Sequence, residues 1–173
     1  SVPLVMCESD YGQYVVAGSG ELHLEVCLRD LEQQYARVPI RRSEPVVKYK
    51  ESVSRLSDQV CLAKTANKLN RLFMSAEPLP DALCRAIDDK RDISLNQDVK
   101  ERAKYLHTVH GFDLADAKKV WCFGPNQFDA NLLVDVTKGV ASQGDVTDAI
   151  CAGFQWASEE GVLCGEALRG VRF

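Results

Sequence analysis

Three residues near the start of the chain mark a change of hydrophobic period. Residues 14–17 are a short apolar run, Gly18-Ser19-Gly20 interrupts it, and Leu24, Leu28, Leu31 and Tyr35 then recur at helical spacing with Glu25, Arg29 and Glu32 between them. A short apolar run closed by glycine reads as a strand, whereas apolar residues three to four apart line one face of an α-helix. Glu21 falls in the first turn, where the positive end of the helix dipole favours a carboxylate. Val38-Pro39-Ile40 ends the helix and starts an extended segment. A strand, a tight turn and a helix in direct succession point to a mixed α+β chain.

The same reading continues downstream. Ser43-Glu44-Pro45 breaks the pattern and marks a boundary. Residues 46–63 are rich in β-branched side chains and predict two strands with a turn near Ser57-Asp58. Residues 65–70 form a polar tight loop, and 71–76 another strand. Pro78 and Pro80 close that strand and open a helix over 81–88. A helix over 98–109 turns Val99, Ala103, Leu106 and Val109 to the core and Lys100, Glu101, Arg102 and Lys104 to solvent. Residues 113–118 make a helical turn, and 120–123 and 132–136 two more strands. The helix over 145–160 is capped by Asp145, carries the stripe Val146, Ile150, Phe154 and Ala157, and stops at Gly161. Residues 171–173 start a last strand. The chain thus reads as a short unit to about Ser43 followed by a larger β-rich unit with helices.

Composition narrows the class. Apolar residues make up 46% and charged residues 27%, as in soluble globular proteins. No apolar run is long enough to cross a bilayer, and residues 1–6 carry no signal-peptide pattern. The seven cysteines are odd in number, include no C-x-x-C pair, and mostly have apolar neighbours. They predict buried, reduced thiols in a cytosolic protein, not a disulfide framework or zinc site. A net charge of -4 argues against autonomous binding of RNA or DNA, because phosphate contacts need a basic excess. Local contacts stay open.

Few constellations suggest chemistry. Gly18-Ser19-Gly20 lies where a phosphate-binding turn would, but the third glycine of a dinucleotide fingerprint is His23 here, and no Gly-Lys-Ser/Thr follows. It reads as a tight turn that glycine permits. His23 has no second His or Cys at ligand spacing and reads as a surface or interface histidine. His107 and His110 suit a helix C-terminus better than a metal. Ser142 is not in a nucleophile elbow, and Asp88-Asp89 and Glu159-Glu160 read as solvated pairs. The segment Lys64-Thr65-Ala66-Asn67-Lys68-Leu69-Asn70-Arg71 gathers three cations and two amides between two strands. Two readings stand for it: an ordinary hairpin loop, or a tip that touches phosphates and base edges.

Longer words in the chain carry a resemblance. Ala17-Gly18-Ser19-Gly20-Glu21-Leu22-His23-Leu24-Glu25 resembles a segment in the third domain of the elongation factor 2 family of translational GTPases. Ser43-Glu44-Pro45-Val46-Val47-Lys48-Tyr49-Lys50-Glu51-Ser52 is similar to that family's junction into its fourth domain. Asn67-Lys68-Leu69-Asn70-Arg71 resembles its N-K-H-N-R loop, Lys119-Val120-Trp121-Cys122-Phe123-Gly124-Pro125 its K-I-W-C-F-G-P, and Ala152-Gly153-Phe154-Gln155-Trp156-Ala157 its A-[GA]-F-Q-W-A. Arg169-Gly170-Val171-Arg172-Phe173 resembles the R-G-V-R-F that shortly precedes the diphthamide-bearing loop.

The resemblance implies an internal fragment with two parts: residues 1–42, the second half of a ferredoxin-like third domain, and residues 43–173, the first part of a fourth domain like the second domain of ribosomal protein S5. It implies a cytoplasmic translocase that moves transfer RNA and messenger RNA on the ribosome, with GTP and Mg in a G domain outside this segment. No catalytic, cofactor-binding or metal-binding residue is expected here. Asn67, Lys68, Asn70 and Arg71 would face RNA in the decoding site, and neither a membrane nor DNA is an expected partner. A piece cut through both domains is expected to expose apolar surface and sheet edges. The chain departs from the family where Thr65-Ala66 replaces Ser-Pro, where Leu69 replaces His, and in Asn126-Gln127-Phe128-Asp129-Ala130-Asn131. The lost proline is expected to loosen the tip. A related GTPase of spliceosome activation or ribosome maturation, or a free-standing binding module without a motor, are the alternative readings.

Overall fold

A computed structural model describes residues 6–10, 13–89, 98–138 and 144–173, and the chain divides into two compact units, Ser1–Val47 and Lys48–Phe173. In the first unit β1 (Met6–Asp10) pairs antiparallel with β2 (Gln13–Ala17), Met6 opposite Ala17. The glycine turn leads into α1 (Glu21–Asp30). Only one of its two glycines is crowded by its surroundings. A Cβ on Gly18 would lie 3.0 Å from Leu24 and 3.1 Å from His23, whereas Gly20 has nothing within 4 Å and is extended at φ 173°.

Residues Leu31–Ala36 continue α1 with the wider π-helical winding. Arg37 N–H donates to the Glu32 carbonyl, five residues back, at 3.0 Å, and Arg37 then ends the helix in the left-handed region at φ 54°. The extra residue in this turn moves the apolar stripe out of register. Leu24 and Leu28 are half-buried, but Tyr35 is 77% exposed. The Glu32 carboxylate draws the tail back by accepting from Ile40 N–H at 3.2 Å and from Arg42 at 2.6 Å. Those bonds, the first above all, hold its carboxyl below the ordinary value.

The second unit is built on a mixed sheet of four strands, β5 (Glu77–Pro78), β6 (Val120–Gly124), β7 (Asn131–Val134) and β8 (Val171–Arg172), in the order β5-β8-β7-β6. The β6–β7 and β5–β8 pairs are antiparallel and β7–β8 is parallel. Helices α2 (Asp81–Asp88), α3 (Val99–His110), α4 (Leu114–Lys118) and α5 (Gly144–Glu159) accompany it. Val120, Phe123, Leu132 and Val134 join Leu83, Ile87, Ala103, Leu106 and Ala117 in one buried cluster. Cys122 and Leu133, paired in register, fall on the opposite face by the strand's two-residue alternation. There the Cys122 thiol meets Cys151 of α5. Cover on both faces explains why β6 and β7 are apolar almost without interruption. Arg172 ties the edge together, bonding Glu77 at 2.7 Å and Asp116 at 2.8 Å and lying 5.0 Å from the Phe112 ring. The unit is α+β, as its sequence predicts.

Several local expectations change. Between residues 46 and 60 the structure places no strand, only a bridge from Glu51 to Leu168. Val46, Val47 and Val60 are exposed, and β-branched residues make strands only where a pleated neighbour packs against them. On α3 the buried face is Arg102, Ala103 and Leu106, while Val99 and Val109 are exposed. Arg102, expected in solvent, is 3% exposed: its guanidinium is buried with its stem, donating to the Val120 carbonyl at 3.4 Å, and burial lowers its pKa. Asp98 caps α3 through Lys100 N–H, and Asp113 caps α4 through Ala115 N–H. Ser142 and the side chain of Asp145 lie outside the described residues.

Candidate nucleic-acid interface

The polar loop singled out in the sequence is the tip of a two-stranded hairpin. β3 (Cys61–Lys64) pairs antiparallel with β4 (Arg71–Met74), matching Lys64 with Arg71, Ala63 with Leu72, Leu62 with Phe73 and Cys61 with Met74. Side chains alternate across a strand, so Leu62, Lys64, Arg71 and Phe73 share one face. Leu72 is half-buried and every other residue from 61 to 74 is exposed.

Thr65 locks the tip. Its N–H donates to the Asn70 carbonyl at 3.1 Å, and its carbonyl accepts from Lys68 N–H at 2.8 Å. Its hydroxyl accepts from Asn70 N–H at 3.2 Å and donates to Asn67 Oδ1. Asn67 Oδ1 also accepts from Leu69 N–H at 3.1 Å. The backbone polar groups of a loop must find partners, and here two short side chains supply them. The turn is therefore closed without the proline of the similar loops.

The four residues singled out for RNA contact occupy different places. Asn67 spends its carbonyl oxygen inside the loop, and among the described residues nothing accepts from its Nδ2 group. Lys68 sits at the apex in the left-handed region, φ 59°, a conformation that costs a residue with a Cβ about 1 kcal/mol. Asn70 uses its backbone in the turn, and Arg71 begins β4. The RNA-contact set expected from the sequence leaves out Thr65, which builds the loop, Lys64, which pairs with Arg71, and Phe73, two residues along β4. Their period-two placement beside the loop was the available signal. Residues 61–74 contain three cations and no carboxylate, and among the described residues no ion pair neutralises Lys64, Lys68 or Arg71.

The other candidates are otherwise occupied. Ser19 N–H donates to His23 Nδ1 at 3.3 Å, and the Ser19 hydroxyl lies 3.2 Å from the same atom. The Ser19 N–H and hydroxyl, two of the groups a phosphate turn would offer, are thus engaged by His23. His107 Nδ1 donates to the Phe112 carbonyl at 2.7 Å, closing the end of α3. All seven cysteines are free, but only Cys84 and Cys122 are buried, and Cys7, Cys61 and Cys164 are exposed. Apolar neighbours in sequence did not bury Cys61, because both faces of its hairpin are open. Among the described residues no group of three or more His, Cys, Asp or Glu could hold a metal ion, and no helix is long and apolar enough to cross a membrane.

Residues 91–173, a little under half of the chain, match the family model described as elongation factor G, domain IV. Over those residues the chain is similar to a translation-factor domain. The hairpin lies before the matched residues.

Proposed function

We propose that the chain is part of a ribosomal translocase similar to elongation factor 2, and that the β3–β4 hairpin is the tip of a lever that reaches RNA in the decoding site. GTP and Mg belong to a G domain of the parent protein, and no residue of this chain is assigned to them. The reading draws on the family words quoted above and on the match of residues 91–173 to a translation-factor domain. The observation that carries it is the charge of the hairpin: in a chain of net charge -4, residues 61–74 hold three cations and no acid. An exposed, uncompensated positive tip attracts phosphates through release of their counterions. Asn67 Nδ2 and the Asn70 amide add hydrogen-bonding groups that can reach base edges or sugars.

The experiment is Lys68→Glu in the complete protein, read by single-turnover translocation on ribosomes and by GTP binding. Slower translocation with unchanged GTP binding is expected. An unchanged translocation rate rejects the role of the tip.

A further inference from the structure

We propose that Phe73 is a base-stacking platform on the same hairpin, so that this face takes an unpaired base of single-stranded RNA together with its phosphates. The inference rests on the reading of the tip as RNA-facing and adds to it a residue and a ligand class.

Phe73 is 66% exposed and its cross-strand partner Leu62 is 47% exposed. Lys64 and Arg71 stand directly opposite each other on the same face. Like charges in that position weaken a hairpin, and among the described residues no carboxylate offsets them. The pair therefore has no stabilising role in the fold and suits an anion from outside. An inorganic anion would need only the cations. An exposed ring in register with them suits a ligand that carries both a phosphate and a flat apolar face, which is a nucleotide of a flexible strand. Phe73 lies two residues along β4 from Arg71, about 7 Å at strand rise. A base stacked on the ring thus keeps its phosphate within reach of Arg71 or Lys64. Leu62 supports the ring from the neighbouring strand, and Leu69 leaves the apex without a further charge.

The test uses the full chain and a fluorescently labelled, single-stranded, purine-rich RNA, read by anisotropy across a salt series. Phe73→Ala and Phe73→Leu should each weaken binding roughly 10-fold or more, and Phe73→Trp should restore it. The salt slope should stay as in the parent, since the ring touches no phosphate. Lys64→Ala and Arg71→Ala should each reduce that slope by about 0.7. An RNA with an abasic site at the stacked position should bind the parent and Phe73→Ala alike. Circular dichroism checks that the variants keep the parent's fold, as expected for a side chain outside the core. If Phe73→Ala binds as the parent does while the Lys64 and Arg71 variants are weakened, stacking is wrong and the RNA-facing tip survives. If the parent shows no salt-dependent RNA binding, or a polyglutamate chain competes as well as RNA, the tip reading falls and stacking falls with it.

Discussion

Glu51 and Cys164, 113 positions apart, are joined twice: Glu51 Oε1 accepts from the Cys164 backbone N–H at 2.8 Å and from its thiol at 3.3 Å. The same carboxylate accepts from Leu163 N–H at 3.0 Å and Glu166 N–H at 3.2 Å. Gly161 lies so close that any Cβ there would collide with the carboxylate. One side chain near the start of the second unit thus organises the loop between α5 and β8. Its own backbone adds the bridge to Leu168.

These bonds, led by that from Cys164 N–H, hold the Glu51 carboxyl at about 2 against an ordinary 4.5. Because the folded value is depressed, the stabilisation is complete above the unfolded value and is lost as pH falls from about 4.5 towards 2. Glu51→Gln should lower the melting midpoint at pH 7 by about 5 °C or more, since a neutral amide is a poorer acceptor for three N–H groups. The gap between parent and variant should be constant above pH ~5.5 and close as the pH approaches 2. A pH-independent gap would show that the ionised carboxylate is not the cause. The Cys164 thiol, raised chiefly by its bond to Glu51, should alkylate faster in the variant.

Asn131 is the polar centre of the sheet. It is 0% exposed, its Nδ2 donates to the Gly124 carbonyl at 2.8 Å and to the Leu168 carbonyl at 2.7 Å, and its Oδ1 accepts from Val171 N–H at 3.1 Å. Asn131→Ala removes the partner of two buried backbone groups, the Gly124 carbonyl and Val171 N–H, and of the half-buried Leu168 carbonyl, and should cost roughly 2–4 kcal/mol. Asn131→Asp should be no better, since it removes both donors and buries a charge. Urea unfolding of the three proteins checks this, and a loss below about 1 kcal/mol would contradict it.

Thr65→Val keeps the shape of the side chain and removes the hydroxyl that pins the tip. The Leu69 and Asn70 amides depend on it, the first through Asn67 Oδ1 and the second directly. Their hydrogen exchange should accelerate roughly 5- to 10-fold, the equivalent of one ordinary hydrogen bond. Amides in β3 and β4 should change little. If Leu69 and Asn70 exchange at the parent rate, the hydroxyl does not hold the turn.

What the sequence made legible was local. The bounds of α2 follow from Pro80 and the apolar spacing behind it, and α3 and α4 begin within one residue of the expected 98 and 113. The loop between Lys64 and Arg71 stands out by its cations and amides. What stayed hidden depends on partners far along the chain. Nothing near Glu51 marks it as the acceptor for residues 163–166. Asn131 looks like part of a turn until β8 is placed beside β7. Val46, Val47 and Val60 carry a strand signal that no neighbouring strand answers. Arg102 reads as solvent-facing because its partner, the Val120 carbonyl, lies 18 positions along the chain. For the hairpin, composition pointed to the tip residues, but only register placed Phe73 beside Arg71 and Lys64.

Gly124 tests the close approach of α5 to β6. A Cβ there would fall 2.6 Å from the Phe154 ring and 2.7 Å from Ser158 Oγ. Gln155 Nε2 donates to the neighbouring Phe123 carbonyl at 3.2 Å. Residues 154, 155 and 158 thus form the face of α5 that rests on the end of β6, and Cys151 continues it one turn earlier towards Cys122. Gly124→Ala must push the helix away or tilt the Phe154 ring, at a cost of about 1–3 kcal/mol. Phe154→Leu alone should also destabilise, by leaving space against Phe173, whose ring stacks edge-on 5.5 Å away. In the double variant the two losses should partly cancel, giving a favourable coupling of about 0.5–1 kcal/mol or more. Strictly additive losses in a double-mutant cycle would mean that Gly124 is not required by the Phe154 contact.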